Sequence, residues 1–234
     1  MNERLLIAAT LGWSPQLITA PLTRRLSPQR TITLHLLYIE PGPGEDYART
    51  RIEETIDEIK TLAKHIENLA VKASALPRQE PGRLAVHMAE ALSPEAREAD
   101  TIHILAAGGP RLLATTAALL AAAASALNPR IQGYVVEEDT RTEHQIPQLP
   151  LSLPQGEAKR EIAAHLVKLG ETTYNQLAEV TGKDPVTVKR LLNELAKTHY
   201  ITCTRKARKT TCRPTPTLYL AHAAQHLAQQ AQHP

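Results

Sequence analysis

Phenylalanine is absent from this 234-residue chain; tryptophan occurs once, methionine twice and cysteine twice. A core without Phe must be built from Leu, Ile, Val and Ala, which favours helices packed on a sheet over a sandwich of aromatic-rich strands. Two cysteines, Cys203 and Cys212, are too few for a zinc site made from cysteine pairs, so no metal is expected. They flank a basic turn. Free thiols are the expectation there, with a disulfide across a hairpin as the alternative, because cytosolic disulfides are rare outside hyperthermophiles. A basic n-region followed by an apolar h-region is also missing: the sequence opens Met-Asn-Glu-Arg and passes straight into a strand-like run, so a cytoplasmic chain is expected. The longest apolar stretch, 112–127, is Ala-rich and broken by Thr115, Thr116 and Ser125. It falls short of the roughly twenty apolar residues of a membrane span, and a buried or subunit-interface helix is expected instead.

Net charge is small, at +3, but unevenly spread. Between 183 and 213, nine Lys and Arg face only Asp184 and Glu194, a local surplus of +7 that leaves the rest of the chain net acidic. Such asymmetry is what an anionic polymer partner requires of one domain only.

Residues 1–139 alternate strand-like runs (4–10, 31–39, 69–76, 100–106 and 131–138) with helical patterns (14–26, 46–67, 82–99 and 110–127). Ile52, Ile56, Ile59, Leu62 and Ile66 illustrate the three- and four-residue spacing of the latter. This alternation predicts an α/β domain with a Rossmann-like, mainly parallel sheet. Over 140–156 the pattern lapses, and Pro147, Pro150 and Pro154 predict a stiff, extended linker. Residues 157–234 then read as three helices, a basic hairpin and a last helix.

The middle of that second region carries helix punctuation. Thr173 and Gln176 have capping-box spacing, Gly182 suits a left-handed stop, and Asp184 and Pro185 suit the N-cap and first turn of the next helix. A turn of about four residues containing Gly joins the two helices, as in a helix-turn-helix. In the second of them Val188, Leu191, Leu192 and Leu195 form the inward stripe, which leaves Thr187, Lys189, Arg190, Asn193 and Lys197 facing out, groups suited to base edges and phosphates. Next comes a β-branched ladder around Arg205, Lys206, Arg208 and Lys209, the form of a wing that follows a phosphate backbone. A C-terminal winged helix-turn-helix that binds double-stranded DNA is expected, and the run 187–195 followed by the basic wing resembles the winged-helix domains of archaeal regulators.

In a sheet of order 3-2-1-4-5, ligands bind beyond the carboxyl ends of strands one and four. Two loops stand there. Thr10-Leu-Gly-Trp-Ser puts hydroxyls, a glycine and the only tryptophan at a helix start, where free N–H groups favour phosphate. Ala107-Gly-Gly-Pro-Arg lets backbone approach an anion and supplies Arg111 as a fork. A GxGxxG fingerprint is missing after strand one, so a dinucleotide cofactor is not expected, nor any other. At these loops, with a winged helix following, the chain resembles the CRISPR-associated Rossmann fold (CARF) regulators of archaeal type I CRISPR-Cas antiviral systems. The resemblance implies a homodimer that holds a cyclic oligoadenylate, most simply cyclic tetra-adenylate, in a two-fold pocket. Thr10, Leu11, Gly12, Trp13 and Ser14 would form one wall, and Gly108, Gly109, Pro110 and Arg111 the other. Some related sensor domains cleave their ligand, and a ring nuclease using Ser14, Thr10 or Arg111 is the alternative function.

Overall fold

The computed structural model describes residues 2–206 and 209–232. The chain forms two compact units: one takes in the chain up to Pro150 and resumes at Ala223, the other is Leu151–His222. Among the described residues no helix is long and apolar enough to cross a membrane.

The first unit is α/β, with a mainly parallel six-stranded sheet flanked by helices. Its elements are β1 (Glu3–Thr10), α1 (Gln16–Thr23), β2 (Arg30–Ile39), α2 (Asp46–Ala63), β3 (Leu69–Leu76), α3 (Pro81–Glu98), β4 (Thr101–Ala106), α4 (Arg111–Ser125), β5 (Ile131–Val136) and β6 (Glu143–Gln145). The sheet order is β3-β2-β1-β4-β5-β6, compatible with a Rossmann-like fold. β1 is central and parallel to both neighbours, Leu5 pairing with Ile32 and Thr101. From Leu5 to Thr10 every residue of β1 is buried, as a strand covered on both faces demands. Edge strand β3 is instead exposed or half-buried as far as Ala75, and only Leu76 is buried. Leu17, Ile18 and Leu22 of α1 and Ile56 and Ile59 of α2 join Leu5, Ile7, Ile32 and Leu34 in one core. α3 and α4 pack against each other and the sheet, and Gly133 permits the close approach: a Cβ there would lie 2.6 Å from the Ala121 Cβ.

Residues 140–156 are not linker throughout, which corrects the expectation from their prolines. β6 pairs antiparallel with β5, Tyr134 opposite Gln145, and Leu149 N–H donates to the Ala122 carbonyl at 2.8 Å. Two arginines at the end of α1 anchor the added strand. Arg24 donates to Glu143 Oε1 at 3.1 Å, and Arg25 donates to Glu143 Oε2. Burial opposes ionisation of Glu143, but the two guanidinium groups prevail and hold its carboxyl below the usual range.

Arg25 is itself buried, at 9% exposure. Its Nε donates to His103 Nδ1 at 2.8 Å, and its guanidinium carbon lies 4.9 Å from the Tyr134 ring centroid. Nδ1 must therefore stay unprotonated, and burial, then the charges of Arg25 and Arg30, push His103 down to about 4. An unfolded histidine titrates near 6.5, so the unfolded chain takes the proton first. The stability that this histidine contributes is complete above about pH 7 and is lost as pH falls toward 4, on the order of 2 kcal/mol of it by pH 5. Thermal melts at pH 7.5 and pH 5 will show the loss, and His103→Asn, which keeps an acceptor for Arg25, will shrink it. An equal acid shift in the variant would locate the sensitivity elsewhere; His35, also lowered by burial, is the next group to test.

The second unit contains α5 (Glu157–Leu169), β7 (Thr172–Thr173), α6 (Tyr174–Thr181), α7 (Pro185–Lys197), β8 (Ile201–Lys206) and β9 (Lys209–Pro214), with the start of α8 (Pro216–Gln230). Its antiparallel sheet has the order β7-β9-β8. The helix punctuation acts as the sequence indicates. Thr173 Oγ1 accepts from Gln176 N–H while the Gln176 side chain takes Thr173 N–H, Gly182 stops α6 at φ 65°, and the Asp184 side chain accepts from Val186 and Thr187 N–H. Ile162 and Leu166 of α5, Leu177 of α6, and Val188, Leu191, Leu192 and Leu195 of α7 are buried.

Two expectations for 157–234 are corrected. Cys203 and Cys212, directly opposite across β8 and β9, form a disulfide rather than free thiols. Register places the two side chains on one face of the hairpin, which distance along the sequence does not reveal. The region is also not one unit: from Ala223 onward α8 packs with the first, where His226 Nε2 lies 2.8 Å from Ser93 Oγ and Asn128 Nδ2 donates to the Ala228 carbonyl at 3.1 Å. Ala223, Ala224, Leu227 and Ala228 supply the buried face that holds it there.

Candidate functional site

At the carboxyl end of β1 the loop residues divide between structure and surface. Thr10 is 1% exposed, and its Oγ1 accepts from Ala107 N–H at 3.0 Å and Gly108 N–H at 3.1 Å. Leu11 is core, its N–H donating to the Leu37 carbonyl at 2.8 Å. The strand-one and strand-four loops therefore clasp each other, leaving no open wall at Thr10 and Leu11. Contact is closest at the glycines. A Cβ on Gly12 would lie 2.4 Å from Gly109 N, and one on Gly109, which sits at φ 89°, would lie 2.4 Å from the Leu11 carbonyl oxygen.

Outside the clasp the same loops present Trp13, Ser14, Gly109, Pro110 and Arg111 to solvent, with Gly108 half-buried. Pro110 is the N-cap of α4 and Arg111 its first residue. Helix geometry leaves the first N–H groups of such a helix without intrahelical acceptors, and they suit an anion. Tyr47, in the first turn of α2, stands beside Trp13 with ring centroids 5.8 Å apart. Tyr47 is not among the residues that the sequence singles out. The available signal was a lone exposed-type aromatic directly after Asp46 at a helix start, but nothing local ties it to residue 13.

A cavity of about 400 Å³ lies at the opposite, amino-terminal edge of the strands, lined among others by Leu26, Arg30, Ile32, Ile66 and Asn68. It is remote from both glycine loops. Ser74, His35 and Glu95 have the order of a hydrolytic triad, with Ser74 Oγ 2.8 Å from His35 Nε2 and Glu95 Oε2 3.3 Å from Nδ1. That last contact lacks the alignment of a hydrogen bond, and Glu95 is also bound to Lys72 at 2.5 Å. The cluster ties α3 to β2 and β3. Among the described residues no group of three or more His, Cys, Asp or Glu is placed to hold a metal ion.

In the second unit α7 turns one face inward and one out. Lys189, Arg190, Asn193 and Lys197 are exposed and Thr187 is half-buried, while Val186 is 74% exposed at the helix start. Arg190 donates to Glu194 Oε1 at 2.8 Å, and the other carboxylate oxygen takes Lys159 at 2.6 Å. These cations hold Glu194 below the usual carboxylate range. Arg205 is exposed on β8. Arg208 lies outside the described residues, and of Lys206 and Lys209 only the strand backbone is described.

The class defined by these observations is a two-unit chain, with an α/β sheet unit joined to a helical unit that carries an antiparallel hairpin. Compared with known proteins, the chain matches no family model and shows no significant match to any curated protein.

Proposed function

We propose that the chain is a ligand-gated transcription regulator of the CARF type, a cytoplasmic homodimer. Its Rossmann-like unit senses a cyclic oligoadenylate, foremost cyclic tetra-adenylate, and its second unit is a winged helix-turn-helix bound to promoter DNA. The observation that carries the reading is α7. A helix entered by a capped turn buries Val188, Leu191, Leu192 and Leu195 and turns Lys189, Arg190, Asn193 and Lys197 to solvent. An exposed helix of that composition beside a cationic hairpin suits the major groove and its flanking phosphates. On the sheet unit, Arg111 and the start of α4 suit the phosphodiesters of the ligand, and a C2 dimer offers each contact twice to a ring of matching symmetry. The clasp of Thr10 leaves its hydroxyl committed to two backbone N–H groups, which takes it out of any ring-cleaving role.

The test is duplex binding measured by anisotropy across roughly 50 to 200 mM salt, with and without cyclic tetra-adenylate. A slope of log affinity on log salt of about −4 to −8 is expected from phosphate contacts. Saturating ligand is expected to shift affinity by about 5- to 150-fold. Affinity indifferent to salt removes the DNA reading; affinity indifferent to ligand removes the gating.

A further inference from the structure

We infer that Trp13 and Tyr47 form a nucleobase-stacking corner at the carboxyl rim of the sheet, which takes a purine base of the phosphodiester ligand. The inference rests on the ligand reading above. The chain has only seven aromatic rings from Trp and Tyr. Five of them, Tyr38, Tyr134, Tyr174, Tyr200 and Tyr219, are buried or half-buried. The two that are exposed, Trp13 at 54% and Tyr47 at 70%, touch each other, although one lies in the loop after β1 and the other in the first turn of α2. In a chain this poor in rings, leaving two in water side by side forgoes burial that the core would reward.

Their planes meet at 85°. A planar base can stack on one ring while turning its edge to the face of the other, the two arrangements that aromatic quadrupoles favour. Both rings stand on stiff backbone. Trp13 follows Gly12, which is pressed against Gly109. Tyr47 follows a turn closed by Glu45, whose Oε2 accepts from Gly42 N–H at 2.9 Å and from Arg78 at 2.9 Å. Arg111, the first residue of α4, comes two residues after Gly109, which is pressed against Gly12, so the helix start that suits phosphate and the ring of Trp13 share one rim of the sheet. A protein contact would call for an apolar surround, whereas the exposed residues flanking the rings are Ser14, Gly109, Pro110 and Arg111 on the glycine loops and Asp46 beside Tyr47, of which only Pro110 is apolar and bulky. Stacking platforms beside cationic groups are the general device for holding unpaired nucleotides.

Trp13, as the sole tryptophan, is a built-in probe. Full-length protein is titrated with cyclic tetra-adenylate by calorimetry and, in parallel, by fluorescence excited at the indole edge. Binding is expected to quench Trp13. Tyr47→Ala is expected to weaken binding about tenfold or more, and Tyr47→Phe to leave it within about threefold, because the stack uses the ring and not the hydroxyl. Both rings are exposed, so the variants retain the wild-type melting temperature. Heat of binding with unchanged Trp13 emission and an unaffected Tyr47→Ala overturns the corner and leaves the ligand reading standing. No heat at all overturns the ligand reading, and the corner with it. Intact affinity with a lower sedimentation mass in Tyr47→Ala assigns the rings to a contact between two copies and likewise overturns the inference.

Discussion

Gly109→Ala is expected to destabilise the sheet-bearing unit by about 2–4 kcal/mol, the sum of backbone strain and a backbone clash. At φ 89° an L side chain is strained wherever it stands, and here the new Cβ would also meet the Leu11 carbonyl oxygen at 2.4 Å. Leu11 cannot retreat, because its N–H is bonded to the Leu37 carbonyl and Thr10 is stitched to Ala107 and Gly108. Two other glycines separate the contributions. Gly44, at φ 80° with nothing within 4 Å of a Cβ, isolates strain, so its alanine variant should cost only about 1 kcal/mol. Gly12 has an ordinary φ but would bring its Cβ to 2.4 Å from Gly109 N, and isolates the clash. Urea unfolding of the three alanine variants checks the ranking. If Gly109→Ala proved no costlier than Gly44→Ala, the two loops would not be clasped in solution.

Removing Lys189 and Lys197 together, as a double alanine variant, should lower duplex affinity by roughly a hundredfold near 0.1 M salt, through four cations lost from the proposed dimer. The fall should be uniform across sequences, and the salt slope should become shallower by about 3 to 4, since each neutralised phosphate contributes about 0.9. Arg190 is different in kind, because Glu194 holds its guanidinium along the helix. Arg190→Ala should cost about 1–3 kcal/mol on the best sequence and less on a random one, the mark of a base contact rather than a phosphate contact. Glu194→Gln should strengthen binding by removing a carboxylate from the cationic face. Anisotropy on one specific and one scrambled duplex separates these outcomes. Unchanged affinity in the double variant would show that α7 does not face DNA, and the hairpin would then have to carry any binding alone. All the substituted positions are on the surface or half-buried, so loss of fold does not confound the comparison.

Much of the architecture was written in local pattern. β3 falls at 69–76, as its run of small and branched residues indicates, and β1, β2, β4 and β5 lie within two residues of their expected limits. The capping box at Thr173, the stop at Gly182 and the cap at Asp184 were all legible, because each depends on residues no more than four positions apart. The apolar stripe of α7 was legible for the same reason. β6 was not. Glu-His-Gln has no strand signature, and its place in the sheet comes from Arg24 and Arg25, more than a hundred residues earlier, reaching Glu143. The linker expected from three prolines consequently begins later than the sequence indicates.

The candidate site divided along the same line. Local pattern marked Gly108 and Gly109 as places where backbone can approach an anion, whereas the nearest partner of Gly109 is the opposite loop, at Leu11 and Gly12. Thr10 was singled out for a hydroxyl that the fold spends on two backbone N–H groups. Trp13 and Tyr47, and Ser93 and His226, became neighbours only through strand order and the return of α8, and register decided between the two readings of Cys203 and Cys212. Periodicity, capping and turn chemistry act over one or two helical turns, so residues in order along the chain suffice to determine them. Which side chains meet across a sheet depends on how four crossovers stack those pieces, and that free energy is summed over the whole packed core before any one pair is decided.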